Sequence, residues 1–330
     1  MTQFVTLEAI RAAAARIACD RYRTPLLASD ELSLAVGLSA RFKAECLQRT
    51  GAFKIRGASN KVRLVMESGG AKRFVTASSG NHGQAVAAAA QAAGVPAVVV
   101  MPEGASRLKV EATRRAGGQV VHHGRSSTER KRHGHELARE PGSVYIDPTD
   151  DADVIAGQGT IGLEILEHLP DTDVIVVPVG GGGLISGIAA AAKRMKPSVI
   201  VLGVEPRGSA SMRASLAAGK PVSLDQVASV ADGLLISKPG ALPFAHAREL
   251  VDEIVLVEED EILDAMAMYA EHAKLVVEPS GAVSLAAGLA RRVPRPHGNA
   301  TKAVFIVSGG NVVLDRYGSW VAAPLRVLGG

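Results

Sequence analysis

The stretch VIVVPVGGGGLISGIAAAAK, residues 174–193, decides the fold. Its first six residues, Val174–Val179, are apolar without alternation, which is how a strand buried on both faces reads. Gly180, Gly181, Gly182 and Gly183 follow, and then a run of helical period. Strand, glycine turn and helix make one unit of a parallel α/β sheet. Four glycines leave backbone N–H groups uncovered beside the helix N-terminus, a concave and partly positive site that suits a phosphate. A tight turn alone needs fewer. No Lys-Ser or Lys-Thr pair follows, which excludes the nucleoside-triphosphate P-loop.

The same alternation extends in both directions. Strands are expected at Arg73–Ala77, Ala97–Met101, Gln119–His122, Val144–Ile146, Val174–Pro178, Val199–Glu205, Ile254–Val257 and Ala303–Val307. Helices are expected at Phe53–Glu67, Asn81–Ala93, Ser106–Arg115, Ala152–His168, Leu184–Lys193, Glu259–His272 and Gly281–Ala290. The chain of 330 residues is long enough for two domains or one large one. Aromatic residues make up only 3%, so the core must be built from Ala, Val, Leu and Ile.

Several function classes are excluded. A net charge of +4 is too slight to imply a nucleic-acid partner, and the basic run Arg130–His133 has no interleaved aromatics. The longest apolar stretch, Ala85–Met101, is broken by Gln91, Gly94 and Pro96, so no membrane-spanning helix is expected. Two cysteines, Cys19 and Cys46, cannot form a disulfide framework or a four-cysteine metal site. With no basic and apolar leader pattern, a soluble cytoplasmic protein is expected.

A second anion site is written at Ser78-Ser79-Gly80-Asn81-His82-Gly83, between the strand RFVTA and the helix QAVAAAAQAA. Serine and asparagine are good helix caps, but two serines with Gly, Asn and His exceed what one cap requires. Uncovered N–H groups there would take a carboxylate. Lys54 lies between Phe53 and Ile55, bounded by Gly51 and Gly57. Desolvation would depress its pKa and make the amine a nucleophile. A nicotinamide-dinucleotide fold competes for the glycine loop. Gly181, Gly183 and Gly187 form a loose fingerprint, with Glu205 near the ~20-residue spacing of a ribose-binding acid. That reading leaves Lys54 and the serine loop unexplained.

The motifs KAE (43–45), QRTGAFKIRGA (48–58), SSGNHGQA (78–85), PVGGGGLISG (178–187), VEP (204–206), ADG (231–233), VVEPSGA (276–282) and SGGN (308–311) occur in that order. Together they resemble the pyridoxal-phosphate-dependent serine/threonine dehydratase and serine racemase family, of the tryptophan-synthase-β fold, type II. The resemblance implies an α/β architecture with two domains of open, mostly parallel twisted sheets covered by helices. A large coenzyme-binding domain would comprise residues 1–72 and 151–330, and a small one, 73–150, would close over the site. Lys54 matches the family's Schiff-base lysine, and Gly180, Gly181, Gly182 and Gly183 match the loop holding the cofactor phosphate. Phe53 and Asn81 match residues at the cofactor ring and its phenolic oxygen, and Ser308 matches the hydroxyl facing the pyridine nitrogen. Ser78, Ser79, Asn81 and His82 match the loop gripping the substrate carboxylate. Ser79 also matches the acid–base serine of racemases.

The activity this implies is conversion of a β-hydroxy amino acid, L-threonine or L-serine, to a 2-oxo acid and ammonia. Serine racemisation and threo-3-hydroxyaspartate dehydration stay open within the same family, and relatives are commonly homodimers. Arg130 falls on an arginine that some relatives carry near the substrate's distal end, although its basic neighbours also read as a solvated helix face. A divalent-cation site in parts of the family would use Glu205, a carbonyl near Ser209 and a second carboxylate where this chain has Ser211, so one hard-oxygen ligand is missing. Only a short tail follows Asn311, so the regulatory domain of biosynthetic threonine deaminases is not expected.

Overall fold

The computed structural model describes residues 4–322. Its strands are β1 (Leu26–Leu27), β2 (Ser39–Ala44), β3 (Arg73–Ala77), β4 (Ala97–Met101), β5 (Gly118–His122), β6 (Ser143–Tyr145), β7 (Val174–Pro178), β8 (Ile200–Pro206), β9 (Glu253–Val257) and β10 (Lys302–Val307). They form a six-stranded sheet in the order β1-β2-β10-β7-β8-β9 and a four-stranded sheet in the order β5-β4-β3-β6. Every pair is parallel except β1 with β2.

The decisive stretch lies where its pattern puts it. In β7, Val174 and Val176 enter one apolar cluster, with Phe42, Leu202 and Phe305, beneath the helix Pro279–Leu289. Ile175 and Val177 enter the other, with Val201 and Ile306, beneath the helix Gly183–Met195. This is the period-2 alternation of a strand whose two faces are both buried. Helices can then approach closely because their contacts are small. A Cβ on Gly187 would lie 2.5 Å from the backbone nitrogen of Gly159 in the helix Ala152–His168. The four-stranded sheet shares its core with the helices Lys54–Glu67 and Asn81–Ala92, through Ile55, Val62, Phe74, Ala85 and Val86.

Two strands had no counterpart in the expectations. β2 carries Lys43, which reads as a surface residue but is buried against Glu164. β1 is too short to show a period. The helix expected over Glu259–His272 stops at Met268 and passes through a π turn, Tyr269–Ala273, into Lys274 at φ +55°. Among the described residues no helix is long and apolar enough to cross a membrane. In parallel sheets ligands sit beyond the carboxyl ends of the strands. Here the ends of β3, β7 and β10 lead directly into Ser78, the tetraglycine loop and Ser308.

Candidate active site

A cavity of about 760 Å³ lies at those strand ends, and Phe53, Lys54, Ser78, Ser79, Asn81, His82, Arg130, Gly180, Gly181, Gly182, Gly183 and Ser308 all line it. Residues separated by up to 255 positions in sequence thus meet at one place. A smaller cavity of about 330 Å³ lies between the helices Lys54–Glu67 and Asn81–Ala92. Its Arg63 and Asp20 pair with each other, and none of the expected site residues reaches it.

Lys54 is the first residue of its helix, and its Nζ donates to the Pro148 carbonyl at 2.9 Å. Burial pushes this amine down to about 8, with Lys131 adding to the effect and Asp147 opposing it. The Phe53 ring lies 5.0 Å from the ammonium. Such an amine is far easier to deprotonate than a solvated one.

The tetraglycine turn fits a phosphate. Gly182 is the N-cap of the helix Gly183–Met195, at φ +91°, and no side chain caps that helix. Its first N–H groups therefore have no intrahelical partner. A Cβ at Gly181 would meet Thr149 Cγ2 at 2.6 Å, and one at Gly182 would meet Met212 Cε at 2.5 Å. Any larger residue at either position would collide with a packed side chain.

The serine loop differs from a plain capping motif. Gly80, not a serine or asparagine, is the N-cap of Asn81–Ala92, and no side chain caps it. Ser78 Oγ instead accepts from the Gly80 N–H at 3.2 Å. The helix N-terminus is left open toward the cavity, as an anion site requires. His82 is buried, with Nε2 3.3 Å from the Ile146 carbonyl, and burial followed by the Lys54 charge pushes it down to about 3. Its imidazole is neutral, so Nε2 carries the proton that the carbonyl accepts.

Asn81 Nδ2 donates to Glu278 Oε1 at 2.7 Å, and Asn81 Oδ1 accepts from Asn311 Nδ2 at 2.9 Å. Burial pushes the Glu278 carboxyl up to about 8, with Asp232 adding to it. Ser308 Oγ donates to the Ser280 carbonyl at 3.3 Å. Glu278, Asn311, Thr149 and Asp147 carried no expected role; the motifs holding Glu278 and Asn311 were visible in sequence, Asp147 and Thr149 lie in none, and nothing there shows which side chains face each other.

Arg130 lies on the helix Ser127–Leu137 and lines the cavity. Its Nη1 donates to the Arg125 carbonyl at 3.1 Å, and among the described residues it makes no ion pair. The solvated-face reading suits its neighbour Arg132, whose side chain is 71% exposed, but not the half-buried Arg130.

Glu205 and Ser209 do not join the cavity. The buried Glu205 carboxylate accepts from the backbone N–H groups of Met212 and Arg213 at 2.8 and 2.9 Å, and burial pushes it up to about 7. Ser209 Oγ donates to the Leu234 carbonyl at 2.8 Å. With Ser211 in place of a second carboxylate, this donor set falls short of what a hard divalent cation takes. Among the described residues no three His, Cys, Asp or Glu side chains group as metal ligands.

Comparison with known proteins gives the family. The family model for pyridoxal-phosphate-dependent enzymes matches residues 19–309. An L-threonine ammonia-lyase of Geobacter sulfurreducens is 47% identical over 290 residues, covering 88% of this chain and 71% of that one. A serine racemase of Oryza sativa subsp. indica is 43% identical over 310 residues, covering 93% and 91%. The structure of maize serine racemase superposes with a TM-score of 0.91 at 42% identity, covering 95% of this chain and 96% of that one. The bare glycine cradle and the buried amine are what such a coenzyme needs for its phosphate and its aldehyde, and the chain belongs to the pyridoxal-phosphate-dependent enzyme family.

Proposed function

We propose that the protein dehydrates and deaminates a β-hydroxy amino acid, with L-threonine and L-serine as its leading substrates, releasing a 2-oxo acid and ammonia. The observation that carries this reading is the buried Lys54 amine in one cavity with two uncapped helix N-termini. The glycine N–H groups would hold the coenzyme phosphate, and Ser78, Ser79, Asn81 and His82 frame the N-terminus that would receive the substrate carboxylate. Pyridoxal phosphate, when bound, supplies a conjugated ring that takes up the electron pair left at the α-carbon. Lys54, with its depressed pKa, removes the α-proton as general base. Ser308 would present a neutral hydroxyl, not a carboxylate, to the coenzyme's ring nitrogen, which would disfavour full protonation there and favour elimination over transamination. Ser79 supplies the proton-carrying hydroxyl that racemisation of serine would use as the alternative course.

A second substrate reading is favoured by Arg130. A half-buried guanidinium on the cavity wall, with no carboxylate paired to it among the described residues, suits a second carboxylate on the substrate, as in threo-3-hydroxyaspartate. The domain reading, with residues 73–150 closing over the rest, is supported by Lys109, which reaches across the cavity mouth from the four-stranded sheet's side to Asp232. Unpaired Cys19 and Cys46 suit a reducing, cytoplasmic setting. Release of 2-oxo acid and ammonia from threonine, serine and hydroxyaspartate, with a chiral assay for D-serine, tests the assignment. No turnover of any of them overturns it.

A further inference from the structure

The helix that opens with Lys54 has no capping side chain. Its N-cap, Phe53, is itself helical, at φ −56° and ψ −21°, and only its carbonyl serves the first turn, accepting from the Arg56 N–H at 3.0 Å. An uncapped first turn is where a helix frays most readily. Here that turn carries an amine whose position decides the chemistry, so something else must hold it.

Arg56 does so. Its Nε and Nη2 donate to the two oxygens of Glu45, both at 2.7 Å. Nη1 and Nη2 donate to the two oxygens of Glu164 at 2.8 and 3.0 Å, and Nη1 also reaches Thr160 Oγ1 at 3.0 Å. Arg56 and Glu45 are fully buried, and Glu164 nearly so. Lys43 and Arg21 each approach Glu164 at 2.6 Å. The cluster joins the end of β2, the helix Ala152–His168 and the helix of Lys54.

Residues two apart in an α-helix point roughly 200° apart. Arg56 therefore grips the back of the first turn while Lys54 faces the cavity, which fixes both the rotation and the axial position of the helix. A buried cluster of three cations and two carboxylates is a poor source of stability, because desolvation offsets its Coulomb attraction. Its forked hydrogen bonds do specify geometry.

We propose that Arg56, held by Glu45, Glu164 and Thr160, is a positioning residue that sets where the Lys54 amine stands in the cavity. The proposal rests on the reading of Lys54 as the coenzyme-bearing lysine. Two variants test it. Arg56→Lys keeps the charge and loses the fork, and Thr160→Val removes one acceptor with little change of shape. The readouts are the rate at which resolved enzyme reattaches pyridoxal phosphate, the melting temperature, and kcat and KM of the holoenzyme. Mapping the modified lysine in the wild type shows separately whether the Lys54 reading stands.

Arg56→Lys should slow reattachment and lower kcat by about 10- to 100-fold, with KM little changed, since small misplacements of a reacting group cost that much. Thr160→Val should show the same pattern in smaller measure with an unchanged melt. Reattachment and turnover at wild-type rates in both variants would overturn the proposal, whatever the melting temperatures do. If Arg56→Lys does not fold, Thr160→Val decides alone: slower reattachment at an unchanged melt supports the proposal, and wild-type reattachment overturns it.

Discussion

Lys54 Nζ donates to the Pro148 carbonyl at 2.9 Å, a contact between the first turn of a helix and a loop 94 residues further along the chain. The carbonyl holds the amine in place without supplying a countercharge, so burial sets its basicity and lowers it to about 8. Only the neutral amine attacks an aldehyde. The rate of coenzyme attachment to resolved protein should therefore rise with pH up to about 8 and level off above it. A rate still climbing steeply toward the ordinary lysine value of 10.5 would show that the amine is solvated.

Gly182 combines φ +91° with a Cβ position only 2.5 Å from Met212 Cε. Gly182→Ala should cost about 1–3 kcal/mol of stability. Because the same turn exposes the N–H groups read as the phosphate cradle, affinity for pyridoxal phosphate should fall with it. Calorimetric melting and a coenzyme titration measure the two effects. An alanine variant with wild-type affinity would remove the loop from the phosphate site.

Arg130→Ala should separate substrates. Loss of a charge-assisted hydrogen bond to a distal carboxylate costs about 1.5–3 kcal/mol, or on the order of 10- to 100-fold in kcat/KM for hydroxyaspartate. Threonine, which has no such group, should be turned over nearly as before. An equal effect on both substrates would assign Arg130 to the scaffold.

Glu278 gives a pH dependence of stability with a definite sign. Its folded pKa is raised from 4.5 to about 8, so between those values the folded protein holds a proton that the unfolded chain has released. The stability of the neutral carboxyl is complete below 4.5 and is lost as pH rises through about 8. Glu278→Gln cannot ionise, so it should gain stability relative to wild type across that window. Chemical denaturation of both proteins below 4.5 and above 8 checks this, and parallel curves would show that Glu278 titrates alike in the folded and unfolded chain.

What the sequence made legible was local punctuation. Four glycines between an apolar run and a helix, or a lysine between two apolar neighbours, carry their physics with them, and both lie where expected. Three kinds of feature were hidden. Lys43 in β2 reads as solvent-facing because its partner Glu164 is 121 residues away. Gly80 took the cap that serine and asparagine propensities assign to their own side chains, since Ser78 bonds within the loop and Asn81 turns to Glu278. The Asn311–Asn81–Glu278 chain joins three motifs whose order is visible but whose contacts exist only after folding.

The central claim is that the Lys54 amine is the attachment point of the coenzyme. Borohydride reduction of the holoenzyme, followed by peptide mapping, tests it most directly. A pyridoxyl group on the peptide containing Lys54, absent from a Lys54→Ala variant treated in the same way, is the predicted result. A stable adduct on any other lysine, or none at all in protein saturated with pyridoxal phosphate, would contradict it.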